Sequence, residues 1–431
     1  MADNSPNAGA DEEQIQRIVK EFEAKLRENL KKGIRPLNEI EDEIDVIVDS
    51  VKRTIIKEAT EELGSGYVGT RKLCSCGGRA KYAYTATRQL ISRHGEFRIV
   101  RAYYYCRSCR KGFCPLDAGL DIGSRECSRS VQALVARFCS HMSFELAARE
   151  LEFVCGIRLS ATTMQTYSKA IGTRIAEEWN ANVELAMKRR LQPSGLRVER
   201  LYASMDGVMV HVGGEWRETK LGAVYQRSAN GRACHTQYYA SLEKSQIFGR
   251  KMRVLAHMAG SDSCHDLTVI GDGAPWIWQE TGKHFSQSRQ VLDFYHGVEH
   301  IAVAANARFA SDKTAAKIWL YQQIERLKAT GPSLVIADVE GWKPRKKDNK
   351  EIKRKLIAYL CENQARMQYP KLIAGGYYIG SGIIEAGAKT VVKARMGASG
   401  MRWEETGATA MLHVSALWKS DKDKDFFKYT A

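Results

Sequence analysis

The chain has 431 residues, of which 44% are hydrophobic and 27% charged, enough for two or three domains that each bury a core. No uninterrupted apolar run reaches bilayer-spanning length, and the polar, acidic start from Met1 to Gln14 is the opposite of a secretory signal, so a membrane or exported protein is set aside and a cytoplasmic one expected. The net charge of +16 hides a split: residues 1–65 hold ten Lys and Arg against sixteen Asp and Glu, and the remainder holds 56 against 34, a balance that suits either a polyanionic partner or a merely basic protein.

Residues 11–63 read as helical, with Ile15, Ile18, Val19 and Phe22 on one stripe and Ile40, Ile44, Ile47, Val48 and Val51 on another. Gly64 to Gly69 breaks the pattern and reads as a linker. Strand-like runs follow at Ala80–Thr87 and Phe97–Tyr105, the second with Phe97, Ile99, Tyr103 and Tyr105 on one face at period two.

These runs are flanked by Cys74-Ser-Cys76 and Cys106-Arg-Ser-Cys109. A zinc ion takes four thiolates in a tetrahedron, and a knuckle at each end of a hairpin supplies two of them. The remaining seven of the eleven cysteines are scattered without pattern, which fits a reducing compartment with one Zn²⁺ site and not a disulfide framework. Residues 66–120 are therefore expected to form a zinc ribbon.

Residues 121–195 return to helical periods. Phe144, Ala147, Ala148 and Leu151 share a face, a turn follows through Gly156, and Ser160 stands where an N-cap belongs. The next helix has Met164, Tyr167, Ile171 and Ile175 inward and Thr162, Thr163, Gln165, Thr166 and Lys169 outward. A recognition helix reaches a DNA major groove in this way, and an ordinary helical hairpin has the same pattern.

Beyond residue 196, strand-like runs stand at Leu201–Met205, Val208–Val212, Lys220–Tyr225, Leu267–Ile270 and Val291–Phe294. Asp206 and Asp272 each end such a run beside a glycine, and Glu385 opens a helix after Gly380-Ser-Gly382. Carboxylates at strand ends beside glycine are open to a cation and a phosphate. Phosphodiester chemistry with two Mg²⁺ (or Mn²⁺) ions calls for three such groups. Each Asp-Gly alone is more often a turn; the ordered set is what points to a site. Lys389 and Lys393 follow Glu385 at helical steps of four, fitting either a grip on a DNA backbone or a solvated basic face. Arg402 and Trp403 suit stacking on an unpaired base, and Trp403 equally suits a core.

In this order the motifs resemble the bacterial insertion-sequence transposases of the Kra type, from about Cys74 to Trp418. The resemblance is carried by the Cys pairs, Ser204-Met-Asp-Gly-Val-Met-Val, Trp216-Arg-Glu-Thr-Lys-Leu-Gly, Val269-Ile-Gly-Asp-Gly-Ala, Leu292-Asp-Phe-Tyr-His296, Gly380-Ser-Gly-Ile-Ile-Glu, Arg395-Met-Gly and Gly400-Met-Arg-Trp403. It implies a ribonuclease-H-like α/β core (196–431), which with the N-terminal helices (1–65, suited to oligomerisation by their acidic, amphipathic character), the ribbon and the helix-turn-helix makes a multidomain α+β chain. It implies an Asp-Asp-Glu triad at Asp206, Asp272 and Glu385, with His296, paired with Asp293, beside the scissile phosphate or a metal ligand. The 112 residues between Asp272 and Glu385 are read as a helical insertion over about 300–375, as in Mutator-like relatives. The implied activity is metal-dependent cleavage and transfer of transposon ends by a homodimer or larger assembly on double-stranded DNA. A catalytically silent DNA-binding regulator and a ribonuclease-H-type nuclease are the competing readings.

Overall fold

The computed structural model describes residues 8–33, 35–123, 125–398 and 400–430. The side chains of Ile15 and Ile18, expected on the first apolar stripe, lie outside the described residues. The fold is mixed α+β with two sheets. It divides into two compact units: Met1–Val135 with Ala148–Ser160 and Thr430–Ala431, and Ala136–Ala147 with Ala161–Tyr429. No helix among the described residues is long and apolar enough to cross a membrane.

The first unit opens with α1 (Ala8–Leu30) and α2 (Leu37–Glu62), linked by an ion pair of 3.5 Å between Arg17 and Glu58. Four antiparallel strands follow in sheet order β1 (Arg71–Leu73), β2 (Arg79–Ser92), β3 (Gly95–Cys106) and β4 (Lys111–Phe113). Successive strand residues point to opposite faces, and β3 uses both. Phe97 and Ile99 pack with Leu90 and Leu116, whereas Ala102, Tyr104 and Cys106 pack on the other face with Cys74 and Ala80. The expected single face therefore holds only for the first half of the strand, and Tyr105 is exposed. A bulge in β2 between Tyr82 and Tyr84 lies where the core changes sides. The short α3 (Pro115–Gly119) is held to the sheet by Asp117, which Arg101 meets at 2.5 Å and Arg88 at 3.4 Å.

Next come α4 (Arg129–Cys139), α5 (Phe144–Cys155) and α6 (Ala161–Met187). Met164, Tyr167, Ile171 and Ile175 of α6 are buried.

The second unit is built on β5 (Arg200–Val212), β6 (Glu215–Arg227), β7 (Ala233–Ser241), β8 (Asp266–Gly271) and β9 (Arg289–Leu292), with α7 (Ser245–Met258) and α8 (Pro275–His284) before and after β8. The order is β7-β6-β5-β8-β9: β5, β6 and β7 pair antiparallel, and β5, β8 and β9 pair parallel. Leu201, Ala203 and Met205 of β5 face a core with Phe248 and Met252 of α7 and Ile277 of α8. Tyr202, Ser204 and Asp206 alternate to the opposite face.

Five helices fill the stretch after β9: α9 (Phe294–Arg308), α10 (Lys313–Thr330), α11 (Ser333–Gly341), α12 (Lys347–Asn363) and α13 (Tyr369–Ala374). Then come α14 (Gly382–Gly387), a π-helical turn Ala388–Lys393, α15 (Ala394–Met396) and α16 (Glu405–Lys419), which packs on both α6 and β7. Three sequence expectations change here. The runs 201–205 and 208–212 are one strand. β7, in which His235, Thr236 and Gln237 interrupt the apolar residues, had no expected counterpart. Phe294 begins a helix instead of ending a strand, because the Asp293 carboxylate caps the first turn by accepting the N–H of His296.

Candidate functional site

Chain direction in the second sheet turns about β5: β6 and β7 build outward on one side, and the chain then crosses to add β8 and β9 on the other. Crevices at the carboxyl ends of parallel strands at such a switch are where α/β sheets bind ligands. Met205 aligns with Gly271 and Gly271 with Leu292, so Asp206, Asp272 and Asp293 each stand one residue beyond the paired register. Asp206 is not at the end of its strand, as expected, since β5 continues to Val212 along β6; it stands where β8 ceases to cover it.

Burial, and next the neighbouring Asp272 carboxylate, raise Asp206 from the ordinary 3.8 to about 6; the Gly207 N–H, donated to its Oδ1 at 2.7 Å, and His296 oppose the rise. Two carboxylates held this close favour either a shared proton or a cation. Asp272 accepts the Ala274 N–H at 2.8 Å, and its own carbonyl accepts the Tyr359 hydroxyl at 2.9 Å. Gly273 has a φ of +104° and would bring a Cβ to 2.9 Å from the Tyr359 ring, which accounts for glycine after Asp272.

The folded chain holds a proton on Asp206 between pH 4 and 6 that the unfolded chain releases. Its contribution to stability is thus present below the unfolded value and lost as pH rises through about 6. Without divalent ions, denaturant unfolding should show roughly 1 kcal/mol less from this group at pH 7 than at pH 5. Asp206→Asn should flatten that difference; identical pH slopes in the two proteins would refute the assignment.

Asp293 is buried and acts as a clamp. One carboxylate oxygen caps α9, and the other accepts both the N–H and the hydroxyl of Ser381, the residue before α14. The Phe294 N–H also bonds the Ile379 carbonyl at 2.8 Å. These contacts lay α14, which carries Glu385, across the sheet. A Cβ on Gly387 would sit 2.7 Å from Tyr238 and 3.2 Å from Leu221, and Leu221 is the cross-strand partner of Asp206. Glu385 therefore stands on the face to which Asp206 points. Its side chain is exposed, and its oxygens are not gathered with those of the two aspartates: among the described residues, the only His, Cys, Asp and Glu group with ligand atoms all within 4.8 Å is the cysteine set. Removing the clamp with Asp293→Ala leaves Ser381 unbonded, at a cost of about 2–4 kcal/mol. Hydrogen exchange at 379–387 should quicken; unchanged protection there would sink the clamp.

His296, on the first turn of α9, lies near enough to Asp206 to lower its pKa, and its Nδ1 is 3.4 Å from Glu299. His300 stacks on Tyr359 at 4.0 Å. Glu218 of β6, which also raises Asp206, and Lys220, which bonds Glu218 at 2.9 Å, lie in the Trp216-Arg-Glu-Thr-Lys-Leu-Gly motif, but the motif alone assigns neither a role at the site. Lys389 and Lys393 are exposed, but the π-helical turn between them breaks the expected step of four. Arg402 is exposed. Trp403 is buried: its ring has the Arg395 guanidinium at 4.7 Å and the Phe144 ring at 6.0 Å. It has no free face for a base, which corrects the stacking expectation in favour of the core. Thr162, Gln165, Thr166 and Lys169 are exposed on α6, and Thr163 is half-buried.

At the end of the first sheet, Cys74, Cys76, Cys106 and Cys109 converge. Cys74 Sγ is 3.7 Å from Cys109 Sγ, and Cys76 Sγ is 3.7 Å from Cys106 Sγ. With metal–sulfur bonds of about 2.3 Å, the edge of a ZnS₄ tetrahedron is about 3.8 Å, so this set could hold a zinc ion. Backbone N–H groups favour the thiolates: that of Cys76 lowers Cys74, and that of Cys109 lowers Cys106 to about 6. A Cβ on Gly78 would meet Ser108 Oγ at 2.6 Å, so the knuckles approach this closely only over glycine.

No curated protein matches the chain. A family model does match, over residues 29–427. With most of both units inside that span, the chain belongs to the uncharacterised protein family UPF0236.

Proposed function

We propose that the chain is a transposase of the Asp-Asp-Glu class, binding the terminal inverted repeats of an insertion sequence and cutting and joining DNA strands there. The observation that carries this is the register of Asp206 beside Asp272 at the switch of the sheet, with α14 and Glu385 laid over the same face. The strand order and the mix of antiparallel and parallel pairs support a ribonuclease-H-like core. Asp206, Asp272 and Glu385 would hold Mg²⁺ or Mn²⁺, which would supply activation of an attacking hydroxyl and stabilisation of the leaving 3′ oxygen.

The chain's own residues do the rest. The raised pKa of Asp206 marks it as the group that trades a proton for a cation near neutral pH. His296 stands beside Asp206 to orient a ligand or meet the phosphate. Asp293 is a positioning residue, fixing α14 through Ser381. The cysteine set would take Zn²⁺ and brace the ends of the hairpin, and α6 would present Thr162, Thr163, Gln165, Thr166 and Lys169 to a duplex, with Lys389, Lys393 and Arg402 on its backbone. The acid-rich α1 and α2 suit a second copy better than DNA, so the active form is a homodimer or larger on paired ends.

Incubation with Mg²⁺ or Mn²⁺ and DNA bearing the element's ends tests the reading: nicked and joined products support it. Binding without cleavage would favour the silent regulator, and cleavage blind to end sequence the general nuclease. Light scattering on paired-end DNA tests the assembly, which a joining-competent monomer per end would overturn.

A further inference from the structure

At the other end of the second sheet, on the side where β8 and β9 begin, lies a half-open cavity of about 550 Å³. That volume is within the range of small-molecule sites. Three segments contribute cations to it, Arg189 after α6, Arg253 of α7 and Lys283 of α8, and His265 before β8 stands with them. Asp262 also lines it, but that carboxylate is taken by His257 Nδ1 at 2.7 Å. Lys283 is bonded to Glu280 at 2.9 Å. Among the described residues, the side chains of Arg189, Arg253 and His265 have no acidic partner, although all three are exposed and lie on one concavity. Val254 and Leu267 supply an apolar part of the wall.

Arg189 and Arg253 line one concavity, so a multivalent anion placed there would meet two guanidinium groups that have no acidic partner among the described residues. His284 lines the same cavity. Burial lowers its pKa, Glu280 opposes, and Arg253, Lys283 and Arg250 lower it further.

We propose that this cavity binds a small phosphate-bearing ligand, a nucleoside di- or triphosphate or inorganic pyrophosphate, at a site apart from the carboxylates of Asp206 and Asp272. The planar forks of Arg189 and Arg253 suit phosphate oxygens in pairs. The apolar wall gives a base or ribose something to rest on. A DNA duplex is convex and follows stripes of charge, whereas these cations face inward across a cavity, so a small ligand fits better.

The experiment is calorimetric titration of the full chain, in EDTA, with pyrophosphate and with ATP. The wild type is compared with the Arg189→Ala/Arg253→Ala double variant, whose two side chains are exposed, so that the fold survives; far-UV circular dichroism checks this. Saturable binding of either ligand by the wild type, weakened at least about tenfold in the variant, is the expected result. No saturable binding, equal binding by the variant, or displacement of the ligand by a duplex of random sequence would each overturn the proposal. EDTA keeps any ion at the candidate carboxylates out of the measurement, and binding is read without DNA cleavage, so the outcome is independent of the proposed transposase activity.

Discussion

Asp272→Ala is expected to abolish strand cleavage and joining, by roughly 10³-fold or more, while DNA binding changes little. Asp272 occupies the register position next to Asp206 at the opening between β5 and β8, and the nearby Asp293 is committed to α9 and Ser381. A loss of that size corresponds to about 4 kcal/mol of transition-state stabilisation, the scale of a lost metal ligand and not of a lost surface contact. Binding is expected to survive because the proposed affinity for DNA would come mainly from cations elsewhere on the basic body. Asp206→Ala and Glu385→Ala should behave alike. The measurement is a cleavage assay paired with an end-binding titration; an Asp272→Ala protein that still cuts would remove the triad assignment.

Cys106→Ser is expected to eliminate bound zinc and to unfold the cysteine end of the first sheet, with the second unit left folded. Structural zinc couples about 10–16 kcal/mol of binding to folding in small ribbons. The core around the cysteines is small: Cys74, Ala80, Ala102, Tyr104 and Cys106 are its buried members, so little else holds β1 and β4 in place. The second unit has its own core about β5 and α7. Elemental analysis and proteolysis report the two halves of this result. Wild-type protein purified without zinc, or a variant with unchanged protease resistance, would contradict it.

Much of this was legible in the sequence because the signals are local. Metal-ligand spacing is a property of two short loops, and both Cys pairs converge. The inward stripe of α6 follows from the period of one helix. What escaped is tertiary. Asp206 read as the end of a strand because glycine follows it, but β6 carries β5 onward to Val212, and only the shorter β8 creates the opening. β7 was missed because His235, Thr236 and Gln237 interrupt its apolar residues and no alternation shows, while its pairing with β6 is a tertiary contact. The single face expected for β3 failed at Ala102, where the core crosses the sheet. Trp403 was open to two readings, and its burial depends on Arg395 and Phe144, the latter more than 250 residues away. Asp293 belonged to a recognisable pair with His296, yet its hold on Ser381 is a contact across 88 positions of chain.

That hold also sets a folding order. Asp206 lies on β5 and Asp272 one residue past β8, two strands that pair directly, and the two aspartates are 66 positions apart. The third carboxylate is separated from Asp293 by the five helices from Phe294 to Ala374, and its helix is held on the face of that pair by the Ser381–Asp293 contact. Closing so long a segment is slower than closing a hairpin, since loop entropy must be overcome before any contact rewards it. A nascent chain emerging from the ribosome thus displays an assembled pair of aspartates long before it has a complete set of three. In the proposed site, completion of the set of three therefore waits on residue 385, and a fragment that stops short of it carries the pair without the third group.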